Sequence, residues 1–249
     1  MSSRTLRSLL QGNDDVASPY NTFTPAVLDL VGSFSQLLQA AGYIVSLVPP
    51  ESYLDPVTAP TFNRSLLFSY DDGWQPSFKY HGRNAYALLL AKYGMTVAPG
   101  RGTVNTFDLI MIQLYETFSH ADYNITGAPP LARQNASEYL MNWVPRVLNG
   151  WFLDFAADAT TGIPSQSVRV LPSQLVVGLA NGWAGGTKTV LMMPAAVGAA
   201  YTALQSRGTP FRGCVFWTIA EEGRVPVGQT EPLYMAQGLN AFLHTRDGR

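Results

Sequence analysis

The stretch FDLIMIQLY, residues 107–115, decides the fold class. It is a short, almost continuous apolar run with β-branched residues at its centre, a pattern typical of a strand that is buried on both faces. Three other runs have the same character: YIVSLVPP at residues 43–50, QLVVGLA at 174–180 and GCVFWTIA at 213–220. Because strands buried on both faces occur mainly in parallel sheets, the four runs together predict a parallel sheet.

Segments with helical spacing of apolar residues alternate with these strands. The first, residues 25–41, has Thr24 as its predicted N-cap and a proline at its first position. The second, residues 137–150, contains Pro145, where the sequence predicts a break. Two further helices are predicted within residues 190–208 and 232–243. Alternation of buried strands and helices predicts an α/β fold with helices covering the sheet.

Composition restricts the classes of ligand. Charged residues make up 13% of the 249 residues, about half the usual share, while aromatic residues reach 12%. Because Lys and Arg number 16 against 17 Asp and Glu, no net positive charge attracts nucleic acid or an anionic membrane. No apolar run approaches the roughly 20 residues of a membrane span. The three histidines, His81, His120 and His244, lack metal-ligand spacing, so neither a metal nor another cofactor is expected.

The ends of the four predicted strands carry amides, phenols and indoles. Loops at the carboxyl ends of parallel strands build the sites of α/β sheets and barrels. Such side chains combine hydrogen bonds of fixed geometry with flat apolar faces, which suits a pyranose ring with its apolar face and rim of hydroxyls. Each aromatic residue taken alone could simply cap the core. The candidate residues are Glu51, Tyr53, Gln113, Tyr115, Trp183 and Trp217.

Two other kinds of site fit the sequence less well. The segment LVVGLANGWAGGTKT, residues 175–189, reads as strand, glycine-rich loop and helix, but it lacks the glycine directly before Lys188 that a nucleotide-binding loop requires. Glu221 and Glu222 follow the last strand, but adjacent residues of an extended chain point to opposite sides and do not form a carboxylate pair.

Four motifs in this order resemble glycoside hydrolase family 18, the chitinases. FDLIMIQLYET resembles the sixth barrel strand of that family, GCVFWTIAEEG the eighth, YIVSLVPPESYLDP the fifth, and GNDD at residues 12–15 the loop just beyond the fourth. The resemblance implies one domain over residues 1–249 with the fold of a partial (β/α)8 TIM barrel, roughly strands five to eight with long site loops. The amino-terminal part of the barrel would then be missing.

The family resemblance also implies a mechanism. In that family the N-acetyl oxygen of the substrate attacks the anomeric carbon, and one glutamic acid protonates the leaving oxygen. Aligned on GNDD, that acid falls at Gln11, whose amide cannot supply a proton. Gln113 and Tyr115 would hold the N-acetyl group, and Trp217 would stack under the sugar. Glu51, Tyr53 and Trp183 are placed near the groove by position only.

Three interpretations remain open at this point. The first is a chitinase-like hydrolase of β-1,4-linked N-acetylglucosamine polymers, with this chain inactive or truncated because it lacks the acid. The second is a noncatalytic, lectin-like protein that binds chitin or N-acetylglucosamine oligosaccharides. The third is a truncated product without a function of its own. A partial barrel should also self-associate through its exposed edges. No signal peptide is recognisable, and secretion of a longer parent is left open.

Overall fold

The computed structural model describes residues 23–57, 60, 62–64, 67–68, 80–81, 84–115, 119–185 and 189–243. Gln11 and the GNDD motif therefore lie outside the described residues.

The described strands fall into one central sheet and three hairpins. In chain order they are β1 (Ser46–Leu47), β2 (Leu67–Phe68), β3 (Tyr80–His81), β4 (Met95–Ala98), β5 (Gly102–Asn105), β6 (Leu109–Gln113), β7 (Trp151–Leu153), β8 (Gln166–Val168), β9 (Leu175–Ala180) and β10 (Gly213–Trp217).

The helices lie before, between and after the strands of the central sheet. Within the described residues they are α1 (Pro25–Ala40), α2 (Ala87–Tyr93), the single turn α3 (His120–Asp122), α4 (Ala136–Asn149), α5 (Pro194–Ser206) and α6 (Met235–Leu243). None of the helices in the described ranges is long and apolar enough to cross a membrane.

The central sheet has four strands in the order β1-β6-β9-β10, and every pair in it is parallel. Strands that follow one another in the chain within this sheet are therefore neighbours in space, with helices in the connections. This arrangement confirms the predicted α/β class with a parallel sheet, and its sequential strand order is consistent with part of a barrel. Among the described strands, β1 and β10 are the outermost of this sheet.

Burial explains why the sheet forms from these runs. All six residues of β9 are buried, as expected for a central strand covered on both faces. β6 alternates between partly buried and buried positions, and β10 is partly exposed along its edge. The predicted strand at residues 43–50 is shorter than expected, because only Ser46 and Leu47 pair with β6 before Pro49 and Pro50 interrupt the ladder.

Capping residues set the starts of the two longest helices. In α1 the Thr24 hydroxyl accepts a hydrogen bond from the Val27 amide at 3.3 Å. In α4, Asn135 and Glu138 form a capping box in which each side chain accepts from the other backbone amide at 2.9 Å. The sequence predicted the Thr24 cap, but the capping box of Asn135 and Glu138 was not predicted.

The break predicted at Pro145 is wrong, because α4 continues through it from Ala136 to Asn149. A proline removes one backbone hydrogen bond from a helix interior. Trp143, Val144 and Val147 around it are buried in the hydrophobic core, and this packing holds the helix together across the missing bond. α4 also packs against α5, which packs against α6.

Three antiparallel hairpins, β2–β3, β4–β5 and β7–β8, lie in the connections between sheet strands. The sequence predicted neither these hairpins nor α2. Their strands are only two to four residues long, too short for a clear periodicity. They lengthen the connections without joining the central sheet.

Candidate functional site

The carboxyl ends of the four sheet strands lie next to one another at one end of the sheet. The Gln113 amide donates to the Pro49 carbonyl at 2.9 Å, and an isolated bridge joins Pro50 to Gln113. On the other side of β6, the Leu114 amide donates to the Gly178 carbonyl at 3.0 Å, and the Asn181 amide donates to the Trp217 carbonyl at 3.1 Å. Residues that directly follow each strand are therefore neighbours.

Gln113 and Tyr115 form a fixed pair at this edge. They are two positions apart on an extended chain and so point to the same side. The Tyr115 hydroxyl donates to Gln113 Oε1 at 2.6 Å, and Gln113 Nε2 donates to the Val48 carbonyl at 3.0 Å. These bonds fix the orientation of the Gln113 carboxamide and join the ends of β1 and β6.

Two indoles continue the site across the ends of β9 and β10. The ring of Trp183 stands perpendicular to that of Tyr115, with centroids 5.9 Å apart, and its Nε1 donates to the Trp217 carbonyl. The Trp217 side chain remains half exposed, at 50% of its surface. The peptide bond between Trp217 and Thr218 is cis. We call Gln113, Tyr115, Trp183 and Trp217 the strand-end cluster.

Asn181 holds the backbone on which this cluster is built, and the sequence did not indicate that role. It is completely buried directly after β9. Its Nδ2 donates to the Thr218 carbonyl at 2.8 Å, and its Oδ1 accepts from the Gly182 amide at 2.8 Å. The side chain thus ties the chain after β10 to the loop that carries Trp183. Its position in the sequence beside Trp183 was the signal for it.

Glu51 and Tyr53 lie in the interior, away from the surface on which a ligand would rest. Both are fully buried in the 3-10 turn Glu51–Tyr53 that follows β1. Tyr53 packs edge-on against Phe23, with ring centroids 5.0 Å apart. The sequence placed both near the groove because they follow a strand, but the turn directs their side chains inward. Neither side chain is exposed at the protein surface.

Glu51 belongs to a buried polar network that the sequence did not indicate. Glu51 Oε1 accepts from the Tyr139 hydroxyl, and Oε2 accepts from the Ala121 amide at 3.0 Å. Burial, the largest cause, and the neighbouring Glu51 charge raise the pKa of Tyr139 well above its ordinary value. The phenol therefore stays protonated and remains a donor to Glu51.

Asp55 and His120 extend this network. Asp55 Oδ2 is hydrogen-bonded to His120 Nδ1, and both residues are buried. The Asp55 amide donates to Asn84 Oδ1 at 3.0 Å, and Asn84 Nδ2 donates back to the Asp55 carbonyl at 3.1 Å. The network joins the segment after β1 to the segment after β6, so it holds in place the two loops that flank Gln113 and Tyr115.

The strand-end cluster offers an amide, a phenol and two indoles, groups that can hydrogen-bond and stack but do not act as strong acids at neutral pH. The two carboxylates that follow β10, Glu221 and Glu222, bond to groups outside the strand-end cluster. Glu221 forms an ion pair with Arg224 at 2.6 Å, and Glu222 accepts from the Ala236 amide at 3.0 Å. In the described part of the chain, no group of three or more His, Cys, Asp or Glu side chains could hold a metal ion.

No protein-family model matches the chain, and neither does any curated protein. Among solved structures, the chain is similar to a family GH18 chitinase from Chromobacterium violaceum, with a TM-score of 0.45 and 18% sequence identity. The match covers 78% of this chain and 45% of that chain, so this chain spans less than half the length of that chitinase.

Proposed function

We propose that the strand-end cluster binds β-1,4-linked N-acetylglucosamine oligosaccharides, the units of chitin. The observation that carries the proposal is that Trp183 links the hydrogen-bonded pair of Gln113 and Tyr115 to Trp217, whose residue surface is half exposed at the same end of the sheet. An exposed indole and two fixed polar groups at one end of a sheet suit a sugar that carries an acetamide.

Each member of the strand-end cluster has a distinct part in this proposal. Trp217 stacks on the apolar face of the pyranose ring. Gln113 and Tyr115 hydrogen-bond the acetamide group, and their mutual hydrogen bond reduces the side-chain entropy lost on binding. Trp183 keeps Tyr115 upright through the perpendicular ring contact and anchors the backbone of Trp217.

We propose further that this chain binds the sugar without appreciable hydrolysis. The strand-end cluster contains no carboxylic acid, and the resemblance to glycoside hydrolase family 18 aligns Gln11 with the general acid. Loss of a general acid lowers a rate by roughly 100-fold to 10,000-fold. The chain is then a sugar-binding relative of a chitinase-like hydrolase.

Calorimetric titration with a tetramer of N-acetylglucosamine tests the binding. We expect saturable binding to the unsubstituted protein and about tenfold weaker binding to Trp217→Ala, because the stacking surface is lost. Phe152→Ala is the matched control, since Phe152 is an aromatic residue of similar exposure, 53%, on the β7–β8 hairpin. Equal affinities for the Trp217→Ala variant and the unsubstituted protein would contradict the proposal.

Incubation with a fluorogenic chitooligosaccharide tests the absence of hydrolysis separately. We expect no turnover above that of the buffer. Turnover at the rate of an ordinary glycosidase would show that a carboxylic acid elsewhere in the chain reaches the sugar, and the protein would then be a hydrolase.

A further inference from the structure

A cavity of about 280 Å3 lies at the other end of the same sheet. Asp108 and Gln174, which line it, directly precede β6 and β9, and Arg212 directly precedes β10. Gln39 at the end of α1 and Arg101 in the turn between β4 and β5 complete the wall. The strand-end cluster lies at the opposite, carboxyl end, so the two places are distinct.

Arg101 is held at this cavity by Gln39. Its Nη1 donates to Gln39 Oε1 at 3.1 Å, and its Nη2 donates to the Gln39 backbone carbonyl near the carboxyl end of α1. Gln39 is buried, at 2% exposure, and its Nε2 donates to Asp108 Oδ2 at 2.8 Å. Oε1 and the backbone carbonyl of Gln39 therefore fix the guanidinium of Arg101, while Nε2 bonds to Asp108 and to the Thr106 carbonyl.

Arg212 enters the same cavity from β10. Its Nη1 donates to the Ser173 carbonyl at 2.7 Å, which uses one of the five N–H groups of a guanidinium. Within the described ranges, neither Arg101 nor Arg212 forms an ion pair with a carboxylate. The carboxylate in the wall, Asp108, accepts from Gln39 and from the Val45 amide.

The wall thus carries two positive charges against one negative charge. A guanidinium presents a rigid, planar fork of donors that matches phosphate oxygens, and two such groups around a small cavity attract an oxyanion. The volume lies near the lower end of the range for small-molecule sites, about 300 to 1,000 Å3, and suits a compact ligand. Neutral polar residues, Gln39, Asn105, Ser173 and Gln174, supply the rest of the polar wall.

We propose that this cavity between Arg101 and Arg212 binds a small oxyanion of the phosphate type. The ligand is either free phosphate or the phosphate group of a small monoester, since both present the same oxygens to the two guanidinium groups.

Calorimetric titration of the full chain with inorganic phosphate at constant ionic strength tests this proposal. We expect saturable phosphate binding that chloride at the same ionic strength does not displace. Binding to Arg212→Gln should be at least about tenfold weaker, because one of two charge-assisted contacts is lost. Arg169→Gln is the control, because Arg169 is an exposed arginine outside the cavity. Absence of phosphate binding, or equal loss in both variants, would overturn the proposal.

Two further measurements keep the result interpretable. Arg212→Lys should recover part of the lost affinity, since it restores the charge without the fork, and a circular dichroism spectrum unchanged by either substitution shows that the fold is intact. A parallel titration with a sugar phosphate distinguishes free phosphate from a phosphate monoester, because the natural type of ligand should bind more tightly. Affinity for N-acetylglucosamine oligomers should not change in Arg212→Gln, because the two sites lie at opposite ends of the strands.

Discussion

Asp122 lies in the single turn α3 after β6, where burial raises the pKa of its carboxyl to about 6. Hydrogen bonds from the Thr126 hydroxyl and the Val190 backbone oppose this shift without cancelling it. Asp158 behaves in the opposite way, because a hydrogen bond from Arg64 holds its pKa below the ordinary value. As pH rises, Asp122 therefore lowers the folding stability, whereas Asp158 raises it.

We predict that Asp122→Asn stabilises the protein relative to the unsubstituted chain as pH rises from 4 to 7. Between the ordinary pKa and about 6, the folded state retains a proton that the unfolded chain has lost, so the unsubstituted protein loses stability over this window. The asparagine variant has no carboxyl group at this position, so its stability does not fall in this way as pH rises. The difference should grow by up to about 3 kcal/mol, measured as free energy of unfolding in urea.

Asp158→Asn serves as the comparison for that prediction. Because the folded pKa of Asp158 is depressed, its contribution is present at neutral pH and is lost as pH falls through the folded pKa. Its variant should therefore differ most from the unsubstituted chain at neutral pH and least in acid. A stability difference for Asp122→Asn that stays constant from pH 4 to 7 would disprove the assignment.

At the scale of elements, the contact between β6 and β9 depends on one glycine. A Cβ atom placed on Gly178 would lie 2.8 Å from the Ile112 carbonyl oxygen and 2.9 Å from the Cα of Gln113. Real Cβ atoms do not approach backbone so closely, so only glycine lets the two strands pack as they do. Gln113, which this contact positions, belongs to the strand-end cluster.

We predict that Gly178→Ala lowers the free energy of unfolding by about 1 to 3 kcal/mol, because a methyl group must push two backbones apart. The same change should weaken binding of N-acetylglucosamine oligomers, since it displaces Gln113. Gly213→Ala in β10 is the matched control, because no atom lies within 4 Å of its added Cβ. Denaturant unfolding of the two variants side by side checks this, and equal losses would refute it.

At the scale of the whole molecule, β1 and β10 are the outermost strands of the sheet among the described residues. Leu30, Phe34 and Leu37 recur at helical spacing on one face of α1 and are exposed, as is Ile44 just before β1. Exposed apolar side chains together with an outer strand favour association of copies.

We predict that the chain self-associates in a concentration-dependent way and that Ile44→Lys shifts it toward the monomer. A charged side chain beside β1 would have to be buried in the contact between copies. Sedimentation velocity at several concentrations measures this. Leu131→Lys is the control, since Leu131 is fully exposed in the loop before α4. A monomer at all concentrations would show that the edges are not adhesive.

The sequence alone determined the parallel sheet and its main helices. It also determined that Gln113, Tyr115, Trp183 and Trp217 lie at the same end of that sheet. Their apolar runs are local patterns, and the topology of a parallel sheet brings the residues after each strand to one edge whatever the details of packing. The prediction of a broken α4 failed because the periodicity of residues 137–150 does not report how firmly Trp143 and Val147 are packed.

Only the tertiary structure decided the burial of Glu51 and Tyr53, the polar network and the arginine cavity. Glu51 bonds to a backbone amide 70 residues away, and Asp55 to a histidine 65 residues away. Arg101 and Arg212 line one cavity because the turn between β4 and β5 and the start of β10 lie close together at the amino end of the sheet strands. Contacts over such separations depend on how the loops pack, and no periodicity in the chain encodes them.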